Sequence, residues 1–275
     1  MFKFPKDLKT VEIGSIRVGN DNPMLLIGTI LYREEKKIRT SNGIDFEEAR
    51  KQIETALNLR EKTGFNFLLD IYFDKEDDFE KIINFVNEFN IPFSIDSEDW
   101  ETRIKILKYC KETGISKNVL YNSINYGMNE DEREAICYDL KPENAILLAF
   151  NPLDSSVKGK IDYVKNKLLP FSQNARIKNV LIDSGVVPIG SGSLNSIKAV
   201  IALKSELGYP TGSGIHNIAS EWVHSLDKPV REICDSSLCA CQALLGADFL
   251  LYGPIESSWR VFPVVKMISE ILKDE

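Results

Sequence analysis

Histidine is scarce in this chain of 275 residues, which contains two, His216 and His224. Zinc and iron centres usually draw on clustered histidines together with Cys, Asp or Glu, so we expect no metal centre of that kind. Long apolar runs are also missing, because the longest, Ala145–Phe150, is far shorter than the roughly 20 residues that span a bilayer. We therefore predict no metal site built on histidine and no membrane-inserted segment.

Basic residues are outnumbered by acidic ones, with 34 Lys and Arg against 41 Asp and Glu and a formal net charge of −7. Since such a surface repels phosphates on average, we expect no nucleic-acid partner. The chain has five cysteines, an odd number, and no apolar leader follows Met1. Both features are typical of a protein with reduced thiols in the cytoplasm, which is where we expect this one.

Short apolar runs alternate with helical patterns from residue 25 onward. Such runs are typical of strands buried on both faces of a parallel sheet. We predict strands at Leu25–Ile30, Phe67–Tyr72, Phe93–Ile95, Val119–Tyr121, Ile146–Phe150, Val180–Ile182, Pro210–Gly212 and Phe249–Tyr252. The first helical pattern, Asp45–Thr63, ends at Gly64, and several others also stop at a glycine. Eight strand-then-helix units predict a (β/α)8 TIM barrel, which we take as a single domain over residues 1–275.

Two local features refine that prediction. Val11–Val18 has two short β-type runs around a turn at Gly14-Ser15, so we predict a short N-terminal β-hairpin that plugs the N-terminal end of the barrel. The structural rival is a doubly wound open sheet. It is disfavoured because Ile27-Gly-Thr-Ile-Leu-Tyr stands where a dinucleotide-binding sheet has Gly-x-Gly-x-x-Gly.

Polar residues stand at the ends of nearly all the predicted strands, where (β/α)8 enzymes place their catalytic groups. They are Asp70, Asp96, Asn122, Ser123, Asn125, Asn151, Asp154, Asp183, Ser213, His216, Asn217 and Glu256. No Lys or Arg stands at a strand end, so the carboxylates would repel one another unless a cation or a donor-rich ligand lay between them. An all-oxygen magnesium site and an organic ring with several N–H donors both satisfy this condition.

A pterin ring fits these residues better than a metal ion does. Its pyrimidine edge presents an amino group and a ring N–H side by side, and a carboxylate accepts both in a paired geometry. Amides such as Asn122 and Asn217 donate and accept at once, which suits the mixed edge of an amino-oxo ring. Structural roles stay open beside this interpretation: the aspartates could be helix N-caps, Asn151 could close a turn, and His216 could be a structural histidine.

Six motifs together resemble a known family. They are Ser94-Ile-Asp-Ser, Tyr121-Asn-Ser-Ile-Asn, Leu148-Ala-Phe-Asn-Pro-Leu-Asp, Leu181-Ile-Asp, Gly212-Ser-Gly-Ile-His-Asn and Leu251-Tyr-Gly-Pro-Ile-Glu. With them, almost the whole chain resembles the H subunit of tetrahydromethanopterin S-methyltransferase. It is similar to bacterial relatives that methylate tetrahydrofolate from a methylcobalamin-carrying protein. More remotely, it is similar to other pterin-binding barrels, the methyltetrahydrofolate–corrinoid methyltransferases and the dihydropteroate synthases.

The resemblance implies a methyltransferase that moves a methyl group between the cobalamin of a corrinoid protein and N5 of a small-molecule tetrahydropterin, either tetrahydrofolate or tetrahydromethanopterin. It implies a pterin pocket lined by Asp70, Asp96, Asn122 and Asp183, with Asp96 and Asp183 on the pyrimidine edge. Asn217 matches the amide that hydrogen-bonds the N5 region. We therefore predict it as the catalytic residue, because an amide can stabilise developing charge without titrating. A homodimer is also expected from the resemblance.

Asn151, Ser213 and Gly214 complete the predicted substrate-binding residues, because they stand in these motifs at strand ends. We predict no metal ligands. Asp96-Ser-Glu-Asp departs from the Asp-Ser-Thr-Asn of the folate-using relatives. Two other functions stay open: a non-catalytic subunit that docks a corrinoid protein within a larger complex, and a dihydropteroate-synthase-like transferase. The second would require cationic groups for a pyrophosphate ester, and none stands at a strand end.

Overall fold

A closed barrel of parallel strands forms the centre of the protein. The computed structural model describes residues 7–274 apart from the side chain of His224, so residues 1–6 and 275 of the predicted domain lie outside it. The strands are β1 (Val11–Ile13), β2 (Ile16–Val18), β3 (Leu25–Ile30), β4 (Arg39–Thr40), β5 (Gly43–Ile44), β6 (Asn66–Tyr72), β7 (Phe93–Asp96), β8 (Val119–Ile124), β9 (Asn144–Leu148), β10 (Asn179–Asp183), β11 (Thr211–Ser213) and β12 (Phe249–Pro254). The barrel order is β3-β6-β7-β8-β9-β10-β11-β12, and β12 pairs with β3.

At least one helix follows each barrel strand. The helices are α1 (Phe46–Thr63), α2 (Phe79–Asn87), α3 (Trp100–Glu112), α4 (Glu130–Glu134), α5 (Val157–Tyr163), α6 (Leu169–Asn174), α7 (Ser193–Leu207), α8 (Lys228–Leu244) and α9 (Ser258–Ile271). Wider π-type turns extend α4 and join α5 to α6. Helix α1 begins after Asp45, whose side chain accepts two backbone N–H bonds, and it ends at Gly64 with φ 76°. The alternation confirms the predicted (β/α)8 barrel.

The N-terminal hairpin closes one end of this barrel, as predicted. Strands β1 and β2 pair in antiparallel fashion, and their apolar residues belong to the cluster that fills the barrel interior. The turn donates a hydrogen bond from Gly14 N to Lys117 O at 2.8 Å, and Asn66 Nδ2 donates to Arg17 O at 2.8 Å. Lys117 precedes β8 and Asn66 begins β6, so the hairpin lies at the N-terminal ends of the strands.

Helix α8 begins earlier than its apolar pattern indicates. The helical pattern Leu238–Leu245, which stops at Gly246, predicts a helix from Leu238, whereas the structure has it from Lys228, with Pro229 in its first turn. Its first turns expose Val230 and Ile233, so no buried apolar stripe marks them in the sequence. Within residues 7–274 we find no helix with the length and apolar content needed to cross a membrane.

Candidate active site

Two hydrophobic clusters show which side chains face the inside of the barrel. The barrel residues of the interior cluster are Leu25, Ile27, Leu68, Leu120, Ile146, Leu181 and Phe249. Because side chains alternate along a strand, the residue two positions after an inward-facing one also points inward. Asp70, Asn122 and Asp183 hold that position on β6, β8 and β10. All three therefore point into the C-terminal end of the barrel.

Asp96 reaches the same region from β7. Phe93 and Ile95 belong to the outer cluster that also contains buried residues of the surrounding helices. Alternation then turns Ser94 and Asp96 inward. The pairing of β6 with β7 places Ser94 beside Asp70. The structure therefore brings the predicted pocket residues of β6, β7, β8 and β10 together at one end of the barrel interior.

Asp70 is the centre of a hydrogen-bond network that joins four strands. Its carboxylate is 1% exposed and accepts hydrogen bonds from Thr29 Oγ1 at 2.9 Å, from Asn122 Nδ2 at 3.3 Å and from Ser94 Oγ. Burial raises the pKa of Asp70, and the bonds from Ser94, Thr29 and Asn122 oppose that rise. The peptide bond between Asn122 and Ser123 is cis.

Asp96 is a carboxyl group with few donors and an acidic neighbour. Burial, followed by the negative charge of Asp70, raises the pKa of Asp96 well above its usual range, while Arg103 opposes the rise. The repulsion between Asp70 and Asp96 is of the kind that the sequence predicts for carboxylates at neighbouring strand ends. A ligand that offers N–H donors to Asp96 would lower the pKa of this carboxyl and hold it ionised.

Asp183 lies at the end of β10 and is held by backbone. Its Oδ1 accepts a hydrogen bond from Gly185 N at 2.7 Å, and its Oδ2 accepts one from Gly214 N at 3.1 Å. Burial raises the pKa of Asp183 to about 6, and the two N–H groups and the charge of Lys160 oppose the rise. Asp183 is therefore mostly ionised at neutral pH. Each oxygen keeps a lone pair that can accept a further hydrogen bond.

The end of β11 contributes backbone and an amide to the mouth of the barrel. Gly212 pairs with the inward-facing Phe249, so Ser213 points outward, and its hydroxyl accepts a hydrogen bond from Gln242 Nε2 of α8 at 2.6 Å. Asn217 is exposed, and its Nδ2 lies 3.2 Å from the position that a Cβ on Gly214 would take. Gly214 and Asn217 therefore lie next to each other at the mouth, whereas the side chain of Ser213 faces α8.

His216 is tied to the backbone of β12. Its Nδ1 lies 3.1 Å from Leu251 O, and its ring packs against Gly253, where a Cβ would lie 3.1 Å from the ring. Burial lowers the pKa of His216, with the Leu251 carbonyl opposing the shift, so the imidazole is neutral at pH 7. These contacts favour the structural interpretation of this residue.

Asn151 uses both ends of its side chain within its own loop. Its Oδ1 accepts a hydrogen bond from Leu153 N at 3.1 Å, and its Nδ2 donates to Gly159 O at 3.2 Å. Asp154, further along the loop, accepts a hydrogen bond from Ser156 N at 2.9 Å. Asn151 thus lies at the same end of the barrel as the inward-facing residues, but its polar atoms close a turn.

Glu98 and Asp99, where the sequence departs from the Asp-Ser-Thr-Asn motif, make local structural contacts. Asp99, the last residue of Asp96-Ser-Glu-Asp, caps α3 and accepts a hydrogen bond from Thr102 N at 2.9 Å. Glu98 is exposed and pairs with Arg33 at 3.0 Å. Asp99 therefore stabilises the helix that follows β7.

Sequence reasoning missed the charged groups that lie behind the pocket. Arg103 of α3 donates to Glu132 Oε1 from Nη2 at 2.6 Å, and the hydroxyl of Tyr121 donates to the same oxygen. Lys160 of α5 is fully buried beside Asp183. Charged residues within helices are normally exposed, so nothing in the sequence marks these as buried. Ser94 was easier to predict as an inward-facing residue, because it lies two positions before Asp96 on the same strand and therefore points to the same side.

The described part of the chain contains no group of three or more His, Cys, Asp or Glu arranged to hold a metal ion. The arrangement offers oxygen acceptors and two amides, those of Asn122 and Asn217, at the end of a barrel. These groups can bind the N–H edge of a flat polar ring by paired hydrogen bonds.

Comparison with known sequences confirms the resemblance. The sequence model of the family described as tetrahydromethanopterin S-methyltransferase MtrH subunit matches residues 6–275. The H subunit of a putative methyltransferase mtx from Methanosarcina barkeri is 34% identical, with 100% of this chain and 95% of that protein covered. The H subunit of tetrahydromethanopterin S-methyltransferase from Methanocaldococcus jannaschii is 32% identical, with 100% and 94% covered.

Solved structures of dihydropteroate synthases share the fold. The 7,8-dihydropteroate synthase of Vibrio fischeri has a TM-score of 0.68 at 13% identity and covers 97% of this chain and 99% of its own. The enzyme of Thermus thermophilus, in complex with 6HMPPP, has a TM-score of 0.65 at 14% identity, with 96% and 100% covered. At such low identity, the likeness supports the barrel fold alone.

Proposed function

Since the chain belongs to the family of the tetrahydromethanopterin S-methyltransferase MtrH subunit, and is thereby a methyltransferase, we propose that it moves a methyl group between N5 of a tetrahydropterin and the cobalamin of a separate corrinoid protein. One observation carries the pterin part of this proposal. The carboxylates of Asp70, Asp96 and Asp183 and the amide of Asn122 all point into one end of the barrel.

The carboxyl groups of Asp96 and Asp183 suit the pyrimidine edge of a pterin. An amino group and a ring N–H beside Asp96 would add donors to the single backbone donor that this carboxyl has, and the lone pairs left on Asp183 can accept from the same edge. Tetrahydrofolate and tetrahydromethanopterin share this edge, so the same residues serve either one. The names of the archaeal relatives favour tetrahydromethanopterin.

Asn217 is proposed as the catalytic residue beside N5. When N5 receives the methyl group, it needs a free lone pair, and when it gives the methyl group up, it needs a hydrogen-bond donor. The neutral amide of Asn217, at the mouth next to Gly214, can accept in one direction and donate in the other. The cobalamin of the partner would supply the metal atom that gives or receives the methyl group, and the proton that N5 loses or gains in the transfer would pass to or from water, because the amide does not titrate.

Calorimetry with each tetrahydropterin tests the pocket. Asp96→Asn and Asp183→Asn should each weaken binding at least tenfold, since a charge-assisted pair is about twice as strong as a neutral one. Asp154→Asn, on an exposed loop at the same end, is the matched control and should bind normally. Unchanged affinity in both pocket variants would refute the assignment. A subunit that merely docks a corrinoid protein would bind no free pterin.

Single-turnover methyl transfer, followed by the absorbance of the corrinoid partner, tests Asn217. Asn217→Ala should lower the rate constant by about 10²-fold, the usual effect of removing one donor in a transition state, with pterin affinity within a few-fold of wild type. Asn125→Ala is the control, because the Asn125 amide is bonded to Ser123 within its loop. A rate within a few-fold of wild type would remove the catalytic role.

The corrinoid partner is proposed to dock on the rim of the mouth. The segments that follow β9, β10 and β11 expose four large apolar side chains: Phe150 at 38%, Leu153 at 86%, Ile189 at 50% and Trp222 at 53%. A partner that brings a large cofactor to this end of the barrel would cover them. Leu153→Asp should raise KM for the methylated corrinoid protein and leave pterin affinity unchanged. An equal KM for the wild type and for Leu153→Asp would contradict this docking site.

A homodimer is proposed on the face formed by α8 and α9. On α9 the exposed side chains Trp259, Met267 and Ile271 follow a helical spacing, and α8 adds Val230 and Ile233. An isologous contact would bury these apolar side chains. Light scattering should show a dimer in the wild type and a monomer for Met267→Asp, while Leu153→Asp stays dimeric. A monomeric wild type would overturn the proposal.

A further inference from the structure

Lys160 is a fully buried lysine bound to three backbone carbonyls. It lies on α5, and its Nζ donates to Ser184 O at 2.9 Å, to Gly185 O at 2.5 Å and to Ala149 O at 3.4 Å. An ammonium group has three N–H donors, so these carbonyls satisfy all of them. Among the described residues, no carboxylate forms an ion pair with it, and its hydrogen bonds all go to backbone carbonyls. Its positive charge is therefore not cancelled by a direct partner.

The three carbonyls belong to the segments that hold Asp183. Gly185 N donates to Asp183 Oδ1 at 2.7 Å, and Ala149 N donates to Asp183 O at 2.8 Å. Only glycine fits in this turn, because Gly185 has φ 65° and an added Cβ there would lie 2.7 Å from Phe150 N. Lys160 thus ties the ends of β9 and β10 together at the point where the Asp183 carboxylate is oriented.

Lys160 also acts on Asp183 through its charge. Burial lowers the pKa of Lys160, and the nearby negative charge of Asp183 opposes that shift. In return, the charge of Lys160 opposes the upward shift that burial imposes on the pKa of Asp183. Because both groups are desolvated, this attraction is screened far less than one at the surface.

We propose that Lys160 is a positioning residue for substrate binding: its ammonium fixes the Ser184–Gly185 turn, and its charge keeps Asp183 ionised for the pyrimidine edge of the pterin. This inference rests on the proposed function, since it takes Asp183 to bind that edge. Lys160 itself touches no substrate atom, because its N–H donors are all directed at the backbone.

The test is the pH profile of tetrahydropterin affinity between pH 5 and 8, measured by calorimetry. Wild-type affinity should fall gradually below about pH 8, because Asp96 gives up a proton on binding, and more steeply below about pH 6, where Asp183 also takes up a proton. In Lys160→Gln, which keeps N–H donors but not the charge, the steeper fall should begin about one pH unit higher. Its affinity relative to the wild type should then be about twofold weaker at pH 7 and about fivefold weaker at pH 6. Lys160→Arg keeps the charge and should keep the wild-type profile.

Lys204→Gln is the matched control for loss of a buried lysine. Lys204 donates to Gly246 O at 2.8 Å and to Asp248 Oδ1 at 2.9 Å, close to the start of β12 and far from the mouth. This variant should lose stability yet keep the wild-type pH profile. A profile for Lys160→Gln that coincides with that of Lys204→Gln would overturn the inference.

Two further outcomes are decisive. If Asp183→Asn binds the pterin as tightly as the wild type, the pocket assignment itself fails, whatever Lys160 does. If Asp183→Asn weakens binding while Lys160→Gln leaves affinity and profile unchanged, the pocket stands and the role of Lys160 is refuted. If Lys160→Arg folds but neither Lys160→Gln nor Lys160→Met does, the charge serves folding, and the positioning role is likewise refuted.

Discussion

Replacing Glu132 by alanine tests how the wall behind the pocket is stabilised. Glu132 is 1% exposed and accepts hydrogen bonds from Arg103 Nη2 at 2.6 Å and Nε at 3.1 Å, and from the hydroxyl of Tyr121. Alanine would leave a guanidinium and a fully buried phenol without their acceptor. Since removing one partner of a buried ion pair costs about 3–5 kcal/mol, we expect the free energy of unfolding to fall by that amount.

Thermal unfolding followed by circular dichroism measures this loss. For a protein of this size, each kcal/mol shifts Tm by about 2 °C, so Glu132→Ala should melt ~6–10 °C below the wild type. The control is Glu12→Ala, because Glu12 pairs with Arg17 at 3.4 Å with both side chains mostly exposed. That pair should contribute less than about 1 kcal/mol. A shift for Glu132→Ala no larger than that of Glu12→Ala would refute the reasoning.

A double variant separates the charge from the packing. Arg103→Met combined with Glu132→Gln removes both charges and keeps an acceptor for Tyr121. Because an apolar or neutral replacement of a whole buried pair is often nearly neutral, this variant should recover most of the lost stability. If the double variant melts as low as Glu132→Ala, the unpaired charge of Arg103 is not the cause of the stability loss in Glu132→Ala.

Two further predictions concern stability. Gly28→Ala should lower the free energy of unfolding by about 1–3 kcal/mol, because the new Cβ would lie 2.2 Å from Tyr252 Oη. The control is Gly127→Ala, where the new Cβ would have Asn125 Oδ1 at 3.2 Å as its single near neighbour. Equal Tm values for the two variants would contradict the prediction. Asp183→Asn should gain stability relative to the wild type as pH rises from 4 to 7. The folded pKa of Asp183 is raised to about 6, so its ionisation destabilises the wild type above its unfolded pKa, by up to about 3 kcal/mol. Denaturant titrations in which the difference is constant with pH would contradict this.

The barrel was predictable because its strands are apolar on both faces. Leu25–Ile30 was predicted with the bounds that β3 has, since one set of its side chains packs in the barrel and the other under the helices. The inward direction of Asp70, Asp96, Asn122 and Asp183 follows from the same alternation once the strands are placed. The place of these four residues in the site could therefore be predicted from the sequence.

The orientation of Ser213 could not be predicted from the sequence in this way. Its direction depends on the pairing of Gly212 with Phe249, and a short strand such as Thr211–Ser213 has too few apolar residues to show its parity. The burial of Lys160 and Glu132 was hidden for a different reason. Both lie on helices among exposed charged residues, and tertiary packing alone distinguishes them.

The uneven supply of hydrogen-bond donors among the carboxyl groups of Asp70, Asp96 and Asp183 leads to a last prediction. Asp70 has three side-chain donors and Asp183 has two backbone donors, whereas Asp96 has one backbone donor, Ser97, and the acidic neighbour Asp70. Asp96 therefore gains most from N–H donors on a ligand, and its raised pKa means that it gives up a proton when it binds them as a carboxylate. Calorimetric titration with pterin in buffers of different ionisation enthalpy, between pH 5 and 8, should show proton release for the wild type and much less for Asp96→Asn. Equal release from both proteins would show that Asp96 is not the group that meets the pyrimidine edge.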